Sequence, residues 1–260
     1  MTSSRQSLIE PGHASETVLL LDIDGTLAPI DADPAAVAVP AATLELLERA
    51  RTACATVALV TGRTLKEARA LVPIDGLQIA ALHGMHMLAA DGTETLDPIA
   101  VSARPELDTA CTLAQTVGWR YEDKGLSVTV HFRHVATPEA TARQMRAQMV
   151  TVLNPLVLEI VDARLALEIR PKHARTKGDA VREIVHATPG AARAIVVGDD
   201  VTDLDAFRGL DASGLDITRV AVGSSEAPAA LLEAADMVLD SQADVAGLLA
   251  DLLAPVTVSS

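Results

Sequence analysis

The chain has 260 residues, of which 49% are apolar and 22% are charged, so it can bury a packed core and is not a disordered chain. A formal net charge of −14 and only four aromatic side chains argue against nucleic acid as a partner, because nucleic-acid-binding proteins need clustered cations and stacking surfaces. Two isolated cysteines, a polar start without a signal-peptide core and the lack of an apolar run of about eighteen residues predict a cytoplasmic protein that does not enter a membrane. We also expect a monomer.

Two aspartates follow the first predicted strand. The apolar run at 18–21 leads into Asp22-Ile23-Asp24-Gly25-Thr26, a pattern typical of a central parallel strand that stops at an active-site loop. Alternate residues of an extended chain point the same way, so Asp22 and Asp24 should converge on one spot. One carboxylate could then act as a nucleophile beside a cation while the other transfers a proton. The alternative is a simple Asp-Gly turn.

A hydroxyl group follows the second predicted strand, at 57–60. The segment Thr61-Gly62-Arg63 offers this hydroxyl and backbone N–H groups at the start of a helix predicted at 65–71, an arrangement that suits phosphate oxygens. An ordinary strand followed by a capped helix would give the same pattern. The third predicted strand, at 77–82, ends at His83-Gly84.

A second domain is predicted between Gly84 and Lys177, because this separation far exceeds the few residues of an ordinary loop. We predict a flexible start at 1–16, a catalytic core at 17–102 and 174–260, and a cap domain at 103–173. Helical spacing predicts one helix around 107–117 and another that Thr137 caps. Together with strands predicted near 120–124, 126–133, 157–161 and 165–170, these helices give the cap the order α-β-β-α-β-β.

The predicted cap strands alternate between apolar and polar residues, which indicates a sheet with two different faces. The apolar face would carry Val128, Val130, Phe132, Leu165, Leu167 and Ile169. The polar face would carry Arg120, Glu122, Lys124, Ser127, Thr129, His131, Arg133, Glu168 and Arg170. A face of mixed charge without aromatic rings suits a hydroxyl-rich sugar, and it could close over a phosphate site. The alternative is the hydrated face of an ordinary antiparallel sheet.

An acidic loop follows the strand predicted at 194–197. The segment Gly198-Asp199-Asp200-Val201-Thr202-Asp203 places three carboxylates at a strand end, which suits an oxygen-liganded ion such as Mg²⁺. The alternatives are a Ca²⁺-type loop and the capped start of a helix. Lys177 adds a cation where a phosphoryl group could sit, although a lone lysine before a helix is usually only solvated. The remaining predictions are strands at 219–222 and 237–239 and a final helix capped by Ser241 and Asp244.

The Asp22–Thr26 loop, the Thr61 turn, the Lys177 helix and the acidic loop, in this order, resemble the haloacid dehalogenase superfamily of aspartate-nucleophile phosphotransferases. The resemblance implies an α/β fold, with a haloacid dehalogenase-like Rossmannoid core on a parallel sheet and an inserted α+β cap. It implies that Asp22 attacks phosphorus to form an aspartyl phosphate, with Asp24 as acid and base. Mg²⁺ would be held by Asp22, the backbone carbonyl of Asp24 and Asp199, with Asp200 and Asp203 in the next layer. The phosphate-binding residues would be Thr61, Gly62, Arg63 and Lys177.

A narrower resemblance covers nearly the whole chain after the predicted flexible start. The segments 22–30, 82–84, 124–133, 168–178 and 198–207 are similar to those of the trehalose-6-phosphate phosphatase family. This resemblance implies a Mg²⁺-dependent phosphatase that converts trehalose 6-phosphate to trehalose and phosphate in trehalose biosynthesis. The substrate-binding residues would be His83 and, on the cap, Glu122, Lys124, Arg133 and Glu168. The sequence departs from the family pattern in having Thr61 for serine and His86 and Leu204 for glutamate.

Two alternatives stay open at the level of sequence. One is a related enzyme with the same type of cap, such as a sucrose-phosphate phosphatase, a mannosyl-3-phosphoglycerate phosphatase or a phosphosugar mutase. The other is a catalytically silent sugar-phosphate-binding protein, against which the presence of Asp22, Asp24, Lys177 and Asp199 argues. In each case the expected partner is a small-molecule sugar phosphate.

Overall fold

The computed structural model of the chain describes residues 9, 11–31, 36–132, 135, 137–163, 165–224 and 227–255. Its contacts divide the chain into two compact units: Met1–Thr95 with Arg175–Ser260, here the core unit, and Leu96–Ala174, here the cap unit. The helix Pro98–Ser102 groups with the cap unit because it packs on other cap elements, whereas the sequence-based boundary after residue 102 leaves it with the core.

The regular elements are given in chain order. The strands are β1 (Thr17–Leu21), β2 (Thr56–Val60), β3 (Gln78–Ala81), β4 (His86–Leu88), β5 (Glu94–Leu96), β6 (Arg120–Asp123), β7 (Val128–His131), β8 (Leu158–Ala163), β9 (Ala166–Pro171), β10 (Arg193–Gly198), β11 (Asp216–Val222) and β12 (Met237–Leu239). The α-helices are α1 (Ala41–Ala53), α2 (Leu65–Leu71), α3 (Pro98–Ser102), α4 (Arg104–Val117), α5 (Pro138–Val152), α6 (Lys177–His186), α7 (Val201–Gly209), α8 (Ala229–Ala234) and α9 (Val245–Leu252).

The start of the chain, predicted to be flexible at 1–16, is described only in part. Residues 1–8 and 10 lie outside the described residues. Ile9 is buried and packs with apolar residues of the core unit, and Ala14–Glu16 form a short 3-10 turn directly before β1.

The core unit is built on a sheet whose described strands have the order β12-β11-β10-β1-β2-β3-β4-β5. Each pair of neighbouring strands from β12 through to β3 is parallel, and the next pair, β3 with β4, is antiparallel. The predicted α/β class with a parallel core sheet is therefore confirmed. Strands β4 and β5 could not be predicted from the sequence, because they are too short to show a hydrophobic period and all three residues of β5 are exposed.

Strand β1 lies at the centre of this sheet and is buried on both faces. Leu19 and Leu21 pack in the cluster that includes α1 and α9, while Val18 and Leu20 pack in the cluster that includes α6 and α7. Each of these side chains is fully buried, and burial of one such side chain contributes roughly 1.5–3 kcal/mol. The uninterrupted apolar run of the sequence thus reflects helices on both sides of a parallel sheet.

Parallel pairing places the functional loops at one edge of the core sheet. Leu21 of β1 pairs with Leu59 of β2 and with Val197 of β10, so the loops that follow these three strands start at nearly the same level. Ligands of open α/β sheets bind beyond the carboxyl ends of the strands. The loops after β1, β2 and β10 are those in which the sequence analysis found the candidate catalytic residues.

The cap unit has an antiparallel sheet of order β6-β7-β9-β8 and the two helices α4 and α5. The apolar face of this sheet, with Val128, Val130, Leu167 and Ile169, is buried in one cluster with side chains of both helices. The order of elements matches the predicted α-β-β-α-β-β. Among the described residues, no helix has both the length and the apolar content needed to cross a bilayer.

Two local predictions in the cap unit are wrong. Leu165 does not belong to the apolar face of the last strand: it has a φ of 50°, is 41% exposed and stands in the turn before β9. Thr137 precedes α5 as predicted, but its side chain makes no capping hydrogen bond. Pro138 begins this helix, and its ring already supplies the backbone φ that a first helical turn needs.

Candidate active site

Lys177 lies at the centre of a buried polar site in the core unit. It is the first residue of α6, and Thr176 and Asp179 cap this helix reciprocally. The Lys177 Nζ donates to Asp22 Oδ1 at 2.8 Å and to Asp203 Oδ1 at 2.7 Å. All three residues are buried. One cation therefore connects α6 to the loop after β1 and to α7.

Asp203 also shapes the acidic loop after β10. Its Oδ2 accepts hydrogen bonds from the N–H groups of Asp199 at 3.0 Å and Asp200 at 3.1 Å. Gly198 is required at the start of this loop, because a Cβ there would lie 2.2 Å from Asp203 Cγ. Both Asp203 oxygens are thus engaged, one by Lys177 and the other by the loop backbone.

Asp22, Asp199 and Asp203 form a buried carboxylate cluster, in which one oxygen of each lies within 4.8 Å of the others. Burial raises the pKa of Asp22 well above its usual range; Lys177 opposes this shift, while Asp203 and Asp199 add to it. Burial alone would lower the pKa of Lys177, but Asp203 and Asp22 outweigh burial and raise it, so this lysine is a cation. Three carboxylates therefore share one cation, and this excess of negative charge fits a divalent, oxygen-liganded metal ion.

Gly25 allows the loop after β1 to approach this cluster closely. Its φ is +76°, in the left-handed region that glycine adopts without strain, and its N–H donates to the Ala28 carbonyl at 2.8 Å. A Cβ at this position would lie only 1.9 Å from Asp199 Oδ2. The Asp-Gly pair of the sequence is therefore a turn, as the simpler alternative has it, and also the place where the loop after β1 meets the acidic loop after β10.

Asp24 does not join the carboxylate cluster but binds Arg63. The Arg63 Nε donates to Asp24 Oδ2 at 2.7 Å, and Nη2 donates to Oδ1 at 2.6 Å. The Asp24 side chain is 40% exposed, whereas that of Arg63 is 13% exposed. The two aspartates of the Asp22–Thr26 loop therefore have different environments, one deeply buried beside a lysine and one open to solvent beside an arginine.

The Thr61-Gly62-Arg63 turn is held against the Leu82–Gly84 turn. The Thr61 carbonyl accepts from the His83 N–H at 2.8 Å, and Thr61 Oγ1 accepts from the Arg63 N–H at 3.2 Å. The His83 ring lies directly over Gly62, where a Cβ would be 2.7 Å from His83 Cε1. His83 has a φ of 58°, which is uncommon for a residue with a side chain and is often found at functional sites.

The core unit brings most of the predicted core residues to one edge of its sheet. Those that lie in the contacts described above are Asp22, Asp24, Thr61, Gly62, Arg63, His83, Lys177, Asp199 and Asp203. Asp200, predicted for the layer behind the metal ligands, is exposed and caps α7, with Oδ1 accepting from the Val201 N–H at 2.7 Å. Its carboxylate is not part of the buried cluster.

In the cap unit, Glu122 and Glu168 lie in one row of the sheet. Glu122 pairs with Thr129, which in turn pairs with Glu168, and residues directly opposite each other share one face. Thr129 and Glu168 are buried, while Glu122 is half-buried and its Oε2 lies 3.9 Å from His131 Nε2. Burial of Thr129 and Glu168 argues against the simple hydrated face of the alternative interpretation.

The other two predicted cap residues are Lys124 and Arg133. Lys124 follows β6, and its N–H donates to the Ser127 carbonyl at 3.0 Å in the turn that leads into β7. Its side chain is half-buried. Arg133 lies outside the described residues, so its role stays a prediction.

One residue that the sequence analysis did not select contacts the start of the lysine helix. Asp205 of α7 accepts a hydrogen bond at Oδ2 from the Gly178 N–H at 2.8 Å. Its neighbours Leu204 and Ala206 are both buried. A charged residue between two buried ones is a signal that could have drawn attention to this position, although the sequence does not say which group it meets.

The chain is similar to several known proteins. The family model described as trehalose-phosphatase matches residues 20–235. The chain is 36% identical over 201 residues to a probable trehalose-phosphate phosphatase of Sinorhizobium fredii, covering 75% of this chain and 74% of that protein. It is 30% identical over 243 residues to the trehalose-phosphate phosphatase of Mycobacterium bovis, covering 90% of this chain and 60% of that protein.

Solved structures share the fold. The C-terminal domain of the trehalose-6-phosphate phosphatase of C. albicans superimposes with a TM-score of 0.75 at 21% identity, covering 92% of each chain. This likeness concerns the fold alone. The chain spans less than two thirds of the length of several curated relatives that it matches, between 16% and 60%.

Proposed function

Because the chain belongs to the trehalose-phosphatase family, we propose that it is a phosphatase that hydrolyses trehalose 6-phosphate to trehalose and inorganic phosphate. The observation that carries this proposal is the buried contact of Lys177 with Asp22 at 2.8 Å and Asp203 at 2.7 Å. Phosphoryl transfer needs a fixed nucleophile and positive charge at the transferring oxygens, and this contact supplies both. The names of the relatives at 30% and 36% identity support the choice of substrate.

Asp22 is the proposed nucleophile. One of its carboxylate oxygens attacks phosphorus, the bond between phosphorus and the sugar oxygen breaks, and the phosphoryl group remains on Asp22 as an aspartyl phosphate. Burial raises the pKa of Asp22, but the Lys177 ammonium favours the carboxylate, which is the form that attacks. The Asp22 N–H donates to the Val197 carbonyl at 3.0 Å, so the backbone of the nucleophile is anchored to the neighbouring strand.

Asp24 is the proposed acid and base. It gives a proton to the leaving sugar oxygen and then takes one from the water that attacks the aspartyl phosphate. The bond between phosphorus and Asp22 then breaks and phosphate is released, so that Asp22 is again a carboxylate and Asp24 is again protonated. The paired hydrogen bonds from Arg63 orient this carboxylate. A positioned acid or base accelerates such reactions roughly 10²- to 10⁴-fold.

The phosphoryl oxygens would be bound by Thr61, Gly62, Arg63 and Lys177. Thr61 Oγ1 accepts from the Arg63 N–H, and a hydroxyl that accepts one hydrogen bond still has its own hydrogen to donate. The Lys177 ammonium already lies beside the proposed nucleophile. These donors face the charge that develops on the phosphoryl group as it is transferred.

The proposed cofactor is Mg²⁺, which the excess negative charge of the carboxylate cluster fits. Asp22, the backbone carbonyl of Asp24 and Asp199 would hold it, with Asp203 in the next layer, whereas the exposed Asp200 caps α7 and is not included. When bound, Mg²⁺ supplies positive charge that screens the carboxylates from the incoming phosphate. Asp203 suits the supporting role because Lys177 and the loop backbone engage both of its oxygens.

Sugar recognition is assigned to the cap residues Glu122, Lys124, Arg133 and Glu168, together with His83. In support, Glu122 and Glu168 lie on one face of the cap sheet, and carboxylates are strong acceptors for sugar hydroxyl groups. We further propose a cytoplasmic location, because Cys54 and Cys111 are both free thiols, as expected in a reducing compartment. The expected monomer can be checked by light scattering.

The test is phosphate release from a panel of sugar phosphates, with Asp22→Asn as the control that keeps the size of the side chain but removes the nucleophile. We expect the highest kcat/KM with trehalose 6-phosphate, loss of activity in EDTA, recovery with added Mg²⁺, and no turnover by Asp22→Asn. A higher kcat/KM with sucrose 6-phosphate or mannosyl-3-phosphoglycerate would overturn the assignment of trehalose 6-phosphate as the substrate. Full activity of Asp22→Asn would overturn the mechanism.

A further inference from the structure

We propose that Asp205 is a positioning residue that places Lys177 between Asp22 and Asp203. Its Oδ2 accepts the Gly178 N–H at 2.8 Å, directly beside the lysine in the chain. This N–H belongs to the first turn of α6, where backbone N–H groups have no partner within the helix. Asp205 therefore binds the end of the helix from which Lys177 extends.

Two glycines bring α6 and α7 into close contact at this point. A Cβ on Gly178 would lie 2.7 Å from the Asp205 carbonyl oxygen and 2.9 Å from Asp205 Oδ1. A Cβ on Gly209 would lie 2.3 Å from the Gly178 carbonyl oxygen. The two helices therefore meet backbone to backbone, and a small shift of one helix must move the other.

This contact matters for Lys177 because α7 also carries Asp203, one of the two partners of the lysine. Asp203 and Asp205 lie two residues apart on α7, and they bind the side chain of Lys177 and the backbone of its neighbour, respectively. The helix end and the ammonium group are thus held by the same element. Without the Asp205 carboxylate, the start of α6 would keep its Thr176–Asp179 cap and Lys177 its two ion pairs, but the side-chain link from α7 to the backbone beside Lys177 would be lost.

The inference rests on the proposed function only in assigning Lys177 a role in phosphoryl transfer. The main experiment therefore measures the chemical reactivity of the Lys177 amine, which does not depend on turnover. Lys177 is buried and paired, whereas Lys66 on α2 is exposed. Acetylation by a limiting amount of an N-hydroxysuccinimide ester, followed by peptide mass spectrometry, gives the labelling rate of Lys177 relative to Lys66 as an internal standard.

We expect Asp205→Ala to raise the relative labelling of Lys177 about tenfold, because an acceptor with full charge contributes more than an ordinary hydrogen bond. Asp205→Asn should give an intermediate value, since its amide oxygen can accept the same bond without the charge. The matched control is Asp244→Ala, which removes a carboxylate that accepts the Ser241 N–H at 3.1 Å at the cap of the last helical segment. This control should leave Lys177 labelling unchanged.

Turnover provides the second measurement. Asp205→Ala should lower kcat about tenfold with both trehalose 6-phosphate and p-nitrophenyl phosphate, because Lys177 would act on the phosphoryl group that both substrates share. Wild-type labelling and wild-type kcat in a folded Asp205→Ala variant would overturn the inference. Should that variant not fold, wild-type values in Asp205→Asn would overturn it. A wild-type protein inactive on sugar phosphates would instead reject the proposed function, while the labelling result would still decide the role of Asp205.

Discussion

The Arg63 guanidinium donates two hydrogen bonds to the Asp24 carboxylate, from Nε to Oδ2 at 2.7 Å and from Nη2 to Oδ1 at 2.6 Å. A planar guanidinium matches the two oxygens of a carboxylate, so this pair fixes the plane of the Asp24 carboxylate as well as its position. Lysine has the same charge but cannot make this paired contact. Arg63 could therefore act in two ways, by orienting Asp24 or by binding the phosphate directly. Replacement by lysine distinguishes these two roles, because it keeps the charge but removes the paired contact.

Arg63→Lys should lower kcat for trehalose 6-phosphate about 10- to 100-fold, because it disorients the proposed acid. The loss should be smaller with p-nitrophenyl phosphate, since p-nitrophenolate leaves without needing a proton. Steady-state kinetics on both substrates provide the measurement. Equal losses on the two substrates would mean that Arg63 acts on the phosphoryl group and not through Asp24.

Lys124→Ala and Glu168→Ala should lower kcat/KM for trehalose 6-phosphate about 5- to 150-fold, because each leaves substrate hydroxyl groups without a partner, at roughly 1–3 kcal/mol. Hydrolysis of p-nitrophenyl phosphate, which has no sugar, should change little. The matched controls are Lys172→Ala and Glu139→Ala, two substitutions of the same residue types elsewhere in the cap unit. Equal losses on both substrates would show that Lys124 and Glu168 serve folding and not sugar recognition.

Gly25→Ala should abolish activity, and backbone strain alone does not account for this loss. The new Cβ would meet Asp199 Oδ2 at 1.9 Å, so the acidic loop must move, and displacement of a reacting group by 1 Å can cost about 100-fold in rate. Gly190→Ala is the control: its φ of +78° is close to the +76° of Gly25, but no heavy atom lies within 4 Å of its Cβ. Both variants should lose about 1–2 kcal/mol of stability to left-handed backbone strain.

Chemical denaturation and kcat measured on these two glycine variants give the comparison. Gly190→Ala should be destabilised but fully active. A Gly25→Ala variant with the kcat of Gly190→Ala would show that the contact between the two loops is not needed for catalysis.

Cys54 should make the folded protein less stable as pH rises above 9. Burial raises the pKa of its thiol from 9.0 to about 11, so between these values the unfolded chain has lost a proton that the folded chain retains. The free energy of unfolding therefore falls as pH rises, by up to about 1.4 kcal/mol per pH unit. Urea unfolding of the wild type and of Cys54→Ala at several pH values measures the difference between the two slopes.

Below pH 9 the thiol is protonated in both states, so the wild type and Cys54→Ala should differ by a constant amount. Identical slopes for the two proteins up to pH 11 would show that the Cys54 thiolate is as well solvated in the folded state as in the unfolded state.

Features that depend on neighbours in the sequence could be predicted from it. The convergence expected of Asp22 and Asp24 was wrong, because β1 ends at Leu21 and the Asp24 carboxylate binds Arg63 instead. The run at 18–21, in contrast, specifies a central strand because both of its faces are apolar. The capping box of Ser241 and Asp244 was predicted for the same reason, because its two hydrogen bonds join residues three apart. The Leu165 prediction failed because the alternation of apolar and polar residues in β9 continues backwards along the sequence into the turn that precedes this strand.

Only the tertiary structure decided which polar groups meet. Lys177 is 155 positions from Asp22 and 26 from Asp203, while Arg63 is 39 positions from Asp24. These contacts exist because helices packed on both faces of a parallel sheet bring separate loops to one edge, where each buried charge must find a partner. A single sequence shows that such charges are present, but their pairing depends on helix packing and sheet register, which are set by the whole core and not by any local pattern.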